Sequence, residues 1–176
     1  MTPEEVIEVV GDLETAAIAV WLDGGWGVDA ALEEQTRPHD DLDLVVELSD
    51  AVGVLEVLRK RGYVLGGGGA PKSFELVDDE GRQVDVHPVV FSESGDGAYR
   101  MANDEDWTYP ASGFDGVGMV LGRRIRCLTP EVQMLCHSGY EPHLTSFDDV
   151  WALSLQFGIA VPDEYRQPRE AYAARE

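Results

Sequence analysis

Apolar positions at helical spacing open the chain. Val6, Val9, Val10, Leu13 and Ala17 recur three or four residues apart, which predicts a first helix over about Pro3 to Ala17. Thr2, Pro3 and Glu5 supply its N-cap, its first-turn proline and its capping-box acid. The pattern then changes to short apolar runs. Ile18 to Leu22 and Leu42 to Glu47 read as strands, and between them Trp26 to Glu34 reads as a short helix that starts at Gly24-Gly25 and ends before Arg37-Pro38. Ser49 is placed to cap a helix running to about Arg61. A third strand begins at Tyr63, the glycines Gly66 to Gly69 read as a loop, and Asp79-Glu80-Gly81 reads as a hairpin turn between two alternating runs. Ser92 to Ala111 is polar with little periodicity and predicts no element. "GVGMVLGRRIRCL" reads as a hairpin about Gly122. Two helices close the pattern, from Thr129-Pro130 to about Tyr140 and from Ser146 to Phe157, the second stopped by Gly158 and Pro162. The fold class that follows is α/β or α+β, a mixed sheet flanked by helices, with a helical segment over 129–176 packed on a unit over 1–128.

Composition narrows the setting. A chain of 176 residues, 44% of them hydrophobic, fits one domain with a sizeable core. No apolar run approaches the roughly 18 residues of a membrane helix. The acidic start "MTPEEVIEVV" is unlike a signal peptide, and two cysteines, Cys127 and Cys136, make no disulfide framework, so a reducing cytoplasm is expected. Lys and Arg total 13 against 34 Asp and Glu, a net charge of -21. Such a chain is poorly suited to neutralising nucleic-acid phosphates and attracts small cations instead, although acidity also simply keeps a protein soluble.

The carboxylates carry the candidate chemistry. Residues i and i+2 of a strand share a face, so Asp41 and Asp43 point together while Leu42, Leu44 and Val46 point into the core. Asp40 has the opposite phase. In "QVDVHP", Asp85 lies between two valines on a buried strand and shares a face with His87. If that strand neighbours the first, three carboxylates meet, an all-oxygen set suited to hard divalent cations such as a pair of Mg²⁺ ions roughly 3.5–4 Å apart. Gly24-Gly25, between strand and helix, lets backbone approach a triphosphate at a helix N-terminus. Arg37 and His39 stand just before the acidic pair, where cations can meet phosphate oxygens; an arginine paired with Asp40 or Glu34 is the plainer alternative.

The order strand, Gly-Gly, helix, Asp-x-Asp strand and isolated Asp strand resembles the DNA polymerase β-like nucleotidyltransferase superfamily. Within it, "WLDGGWGVDA", "RPHDDLDL", "VDVHP" and "RCLTPEVQMLCHSGYE" resemble the lincosamide nucleotidyltransferases, with the small aminoglycoside nucleotidyltransferases slightly more distant. The resemblance runs from about Trp21 to Leu153. It implies a catalytic domain over 1–128 that transfers AMP from ATP, with Mg²⁺, to a hydroxyl of a small cationic antibiotic. Asp41, Asp43 and Asp85 match its metal-binding carboxylates, with Asp85 also the group that accepts the hydroxyl proton, and Gly24-Gly25 match its nucleotide-binding turn. Ser92 to Arg123 departs most from the pattern, so no acceptor-binding residues carry over, and a homodimer is left open.

Other signals point elsewhere or nowhere. "GGGGAPKS" imitates a P-loop, but Pro71 has no amide hydrogen and the segment leads into a strand. His39, His87, His137 and His143 lack zinc-site spacing. His137 and Tyr140, one helical turn apart, are candidates to face the nucleotide, with a satisfied boundary histidine as the blander reading. Trp26, Trp107 and Trp151 read as packing residues, any one of which could line a sugar or adenine pocket. The alternatives to an antibiotic adenylyltransferase are a nucleotidyltransferase acting on protein or RNA, and a nucleotide-binding module without turnover.

Overall fold

The structure is a computed structural model that describes residues 1–101, 103–138 and 142–166. Helix α1 (Pro3–Thr15) begins as its sequence requires: Thr2 Oγ1 accepts from the Glu5 N–H and Glu5 Oε2 accepts from the Thr2 N–H, closing the capping box. Its buried stripe, Val6, Val9, Val10 and Leu13, packs beside helix α3 (Ala51–Arg59) on one face of the sheet. Helix α3 starts one residue later than a Ser49 cap would place it. A 3₁₀ turn over Leu48–Asp50 precedes it, and no side chain caps it.

The main sheet is mixed. Its strands are β1 (Val20–Asp23), β2 (Asp41–Glu47), β3 (Val64–Gly68), β4 (Phe74–Val77), β5 (Gln83–Phe91), β6 (Gly97–Arg100) and β7 (Asp106–Tyr109). They run in the order β1-β2-β5-β4-β3, with β2 and β5 parallel and the other pairs antiparallel. The nine-residue β5 changes partner along its length, pairing with β4 up to Val86 and with β6 from Val89 onward. Pro88, which has no N–H to donate, sits at that fork.

Two sequence expectations fail here. Gly66 to Gly68 lie in edge strand β3, not in a loop, because their backbone pairs with β4 across a register shift between Leu65 and Gly67. The stretch from Ser92 to Ala111, expected to be irregular, contains the β6–β7 hairpin. The hairpin at Asp79-Glu80-Gly81 forms as expected, with Asp78 Oδ1 accepting from the Glu80 and Arg82 N–H groups. The β8 (Val117–Val120) and β9 (Arg123–Arg126) hairpin makes a separate two-stranded sheet.

Strand alternation sorts the main sheet into two faces. Leu22, Leu42, Leu44, Phe74, Leu76, Val84 and Val86 share the core with α1 and α3. The opposite face carries the acids described below and, further along, a smaller cluster of Val45, Val89, Tyr99, Tyr109, Leu128 and Val132. Helix α2 (Gly24–Leu32) follows β1 directly and is backed by α4 (Pro130–Cys136) and α5 (Leu144–Phe157), with Val28, Met134, Phe147, Val150 and Leu153 between them. Helix α4 ends at Cys136, and Tyr140 lies outside the described residues. Among the described residues no helix is long and apolar enough to cross a membrane.

Candidate active site

Strand register assembles the acids. Asp23 of β1 lies opposite Asp43 of β2, Asp43 beside Asp85 of β5, and Asp85 opposite Glu75 of β4. Residues paired in register point to one face, so four carboxylates stand in a row across four strands, each about 4.8 Å from the next. Asp41 shares that face two residues earlier on β2, whereas Asp40 is exposed outside the strand. Asp41, Asp43 and Asp85 are thus brought together, and Asp23 and Glu75 join them. His87 rises over the row from β5, its Nδ1 3.7 Å from Asp23 and its Nε2 3.9 Å from Asp43.

The glycine pair sits at one end of the row, as the first turn of α2. Asp23 is the N-cap and accepts from the Gly24 N–H at 2.8 Å. Gly24 has φ +56, and a Cβ there would fall 2.1 Å from Asp43 Oδ2, so only glycine lets the helix start against this carboxylate. Gly25 is covered in the same way: its Cβ would lie 2.2 Å from His39 Nδ1 and 2.9 Å from Arg37 Nη2. Arg37 and His39 therefore both border the helix N-terminus, each already engaged. The Arg37 Nε and Nη2 donate to the two oxygens of Asp149 on α5, at 3.1 and 2.8 Å. Asp149 is thus its partner, and neither Asp40 nor Glu34 is. His39 is buried with its Nε2 on Asp29. His137 is buried too, its Nδ1 hydrogen-bonded to the Gln133 carbonyl and its Nε2 3.5 Å from Asp149.

The chain as a whole is similar to known proteins. The family model of aminoglycoside-2''-adenylyltransferases matches residues 5–153. The chain belongs to that family. A lincosamide resistance protein of Staphylococcus haemolyticus is 30% identical over 151 residues, which cover 85% of this chain and 92% of the relative. A 2''-aminoglycoside nucleotidyltransferase of Klebsiella pneumoniae is 27% identical over 122 residues, 68% of this chain and 63% of the relative. Among solved structures, the lincosamide antibiotic adenylyltransferase LnuA with lincomycin bound superposes with a TM-score of 0.77 at 28% identity, covering 88% of this chain and 97% of that one. ANT(2'')-Ia in complex with adenylyl-2''-tobramycin shares the fold, with a TM-score of 0.71 at 18% identity over 98% of this chain and 97% of that one. The chain is a nucleotidyltransferase, an enzyme class that takes a nucleotide donor and usually a divalent metal.

The electrostatics of the nucleotidyltransferase site are those of surplus negative charge. Burial pushes Asp43 up to about 7; His87 works against this, and Asp41, Asp23 and Asp85 add to it. Burial also raises Asp85, against the Gln83 amide that donates to it at 2.8 Å. Burial penalises the charged form of Asp23 as well, but the hydrogen bond and charge of His87, with donation from Gly24 and from the Tyr109 hydroxyl at 3.1 Å, outweigh it and hold Asp23 below its ordinary value. His87 is raised in turn: burial opposes its protonation, and Asp23 and Asp43 overcome that. The donor set available to a metal is all carboxylate oxygen on one face, a chemistry that suits a hard divalent cation. Among the described residues the side chains do not converge three to a point.

Sequence reasoning missed Asp23, Glu75, Tyr109 and Asp149 as neighbours of the site. Asp23 had a readable signal, since an Asp directly before a helix is a favoured N-cap. Glu75 alternates with Phe74 and Leu76, which marks it as facing away from the core. Asp149 and Tyr109 had none, because both arrive from elements distant in sequence.

Proposed function

We propose that this nucleotidyltransferase transfers AMP from ATP to a hydroxyl of a small cationic antibiotic, with a lincosamide as the first acceptor class and an aminoglycoside as the second. The observation that carries the reaction type is the register of Asp43 beside Asp85 at the foot of a glycine-started helix. Similarity over 92% of a lincosamide resistance protein supports the acceptor ranking. The family description and the net charge of -21 support the second class.

In this reading Asp41, Asp43 and Asp85 would hold Mg²⁺, which when bound would offset phosphate charge and polarise the reacting groups. Gly24 and Gly25 bring backbone close to the triphosphate, and the partial positive charge of the α2 N-terminus favours its binding. Arg37, fixed by Asp149 beside Gly25, adds a full positive charge to the same place, with His39 packed beneath it. Asp85 takes the proton of the acceptor hydroxyl as its oxygen attacks the α-phosphate in line. The bond to pyrophosphate breaks, and the AMP ester forms. A raised carboxylate suits that role, because it is a stronger base than an exposed one.

Residues 1–128 act as the catalytic domain in this reading, and the segment 129–176 braces α2 through α4 and α5. The acceptor is a small hydroxylated amine and not a nucleic acid. A homodimer and a cytoplasmic location belong to the same reading; light scattering and cell fractionation check them. The deciding experiment incubates the protein with ATP, Mg²⁺ and each drug separately. A mass gain of one AMP on a lincosamide is the expected result. Adduct on an aminoglycoside alone reverses the ranking, and adduct on neither removes the antibiotic acceptor while leaving the fold family intact.

A further inference from the structure

The hairpin that the sequence left without an element builds a second wall beside the acids. Val89 pairs with Tyr99, and Tyr99 with Trp107. Tyr99, Trp107 and Tyr109 therefore continue the face that carries Asp85 and His87, with the Tyr99 and His87 rings 5.0 Å apart. The outer face of the hairpin is polar, with Arg100 paired to Asp106. Between this wall and the end of α4 lies a cavity of about 410 Å³, bounded by Asp23, His87, Tyr99, Trp107, Tyr109 and Cys136. That is the size of a small-molecule site, and it opens directly onto the acid row.

Its chemistry is one-sided. Tyr99, Met101, Trp107, Tyr109 and Cys136 make its apolar side, while His87, Asn103 and Ser138 add polar groups but no negative charge. Of the carboxylates, Asp23 is already occupied by Gly24 and Tyr109, and Glu105 stands at the exposed rim. A polyammonium ligand seated within the cavity, beyond the acid row, would strip water from several charges and find only these two carboxylates there, which is costly. One ammonium on an apolar arm fits better. The arm buries against Met101 and the rings, and the ammonium meets aromatic faces and Glu105.

We propose that the Tyr99–Trp107 face of the β6–β7 hairpin is the acceptor-binding wall, and that it selects an acceptor with a single ammonium on an apolar arm over a polyammonium one. The proposal rests on the antibiotic-acceptor reading above and gives the physical basis for ranking lincosamides first. The overall charge of the chain draws cations of both kinds toward the protein, and the wall decides which of them stays.

The test uses the full chain with lincomycin as the monoammonium probe and tobramycin as the polyammonium probe. Calorimetric affinity is measured without nucleotide, and KM for drug and for ATP in the transfer assay. Trp107→Ala is expected to weaken lincomycin about tenfold, the scale of losing a favourable ring face, with KM for ATP unchanged. Trp107→Phe should recover most of that loss, and Trp107→Glu should shift the preference toward tobramycin. Lincomycin binding and KM unaltered in a folded Trp107→Ala protein would overturn the proposal while the adenylyltransferase reading survives. Tighter binding of tobramycin than lincomycin to the parent would also overturn it. Transfer to neither drug by the parent removes the acceptor reading and this proposal together.

Discussion

Gly24→Ala separates the two demands made on the start of α2. The first is conformational: Gly24 has φ +56, and an L-residue with a Cβ pays roughly 1–2 kcal/mol to sit in that region. For a chain of this size that lowers Tm by about 2–8 °C, at roughly 2–4 °C per kcal/mol. The second demand is contact. The new Cβ would lie 2.1 Å from Asp43 Oδ2, 2.8 Å from its Cγ and 3.3 Å from its Cβ, so rotating the carboxylate cannot relieve it and the whole side chain must move. Restoring an ordinary contact distance of at least 3.4 Å displaces the carboxylate by about 1.3 Å. A misplacement of about 1 Å in a reacting constellation costs on the order of 10²-fold in rate. Gly122→Ala is the matched control, because Gly122 has φ +76 in the β8–β9 turn and a Cβ there meets nothing within 4 Å. The two variants should melt within a few degrees of each other, and only Gly24→Ala should lose transfer, by about 10²-fold or more. Thermal melts and AMP-transfer rates measured on both decide it. Equal turnover in the two proteins would show that Asp43 does not depend on the glycine for its position.

Further outcomes follow from the same geometry. Asp43→Asn should fold and lose nearly all transfer; its metal-free Tm near neutral pH should not fall below the parent's, because the parent carboxylate, raised to about 7, is itself destabilising once ionised. Near-normal turnover would remove Asp43 from the reaction. Asp85→Ala should lose about 10²–10⁴-fold in turnover with ATP affinity nearly intact, and a collapse of ATP binding would make it chiefly a metal ligand. Asp149→Asn takes the bidentate partner from Arg37 and the counter-charge from His137, and should lower Tm while weakening ATP more than adenosine; equal weakening of both would place Arg37 away from the phosphates. Burial opposes protonation of His137, but Asp149 and the Gln133 carbonyl raise it above its ordinary 6.5. Its contribution is therefore fully present below that value and lost as pH rises through the raised one, so the Tm gap between the parent and His137→Gln should be widest below pH 6.5 and narrow as pH rises above it. A gap independent of pH would assign the loss to packing.

What the sequence disclosed about the site is what local periodicity can carry. Asp41 and Asp43 share a face because strands alternate, and the apolar residues between them say which face is buried; no tertiary information is needed for that. Register is different. Whether Asp85 stands beside Asp43 or two residues away depends on a parallel pairing across a long connection, and nothing within either strand encodes it. The same holds for Asp149, which reaches Arg37 from 112 positions along the chain. The glycines of β3 misled for a physical reason: their low strand preference signals a loop, while Gly67 and Gly68 pair with β4 at the edge across a register shift, Gly68 with φ +71.

The β6–β7 hairpin failed to register for the opposite reason. Its alternation is present, with Tyr99, Trp107 and Tyr109 inward and Ala98, Arg100, Asp106 and Thr108 outward. Each strand is four residues long, however, and its outer face is charged, so any window wide enough to detect a period also takes in the polar turn between them. A short two-faced hairpin is also what an acceptor wall requires. It must present rings to a ligand on one side and tolerate water on the other, and a longer apolar strand would bury itself in the core. On the acceptor-wall proposal, the segment least legible in sequence is therefore the one that would set the acceptor while leaving the acid row in place.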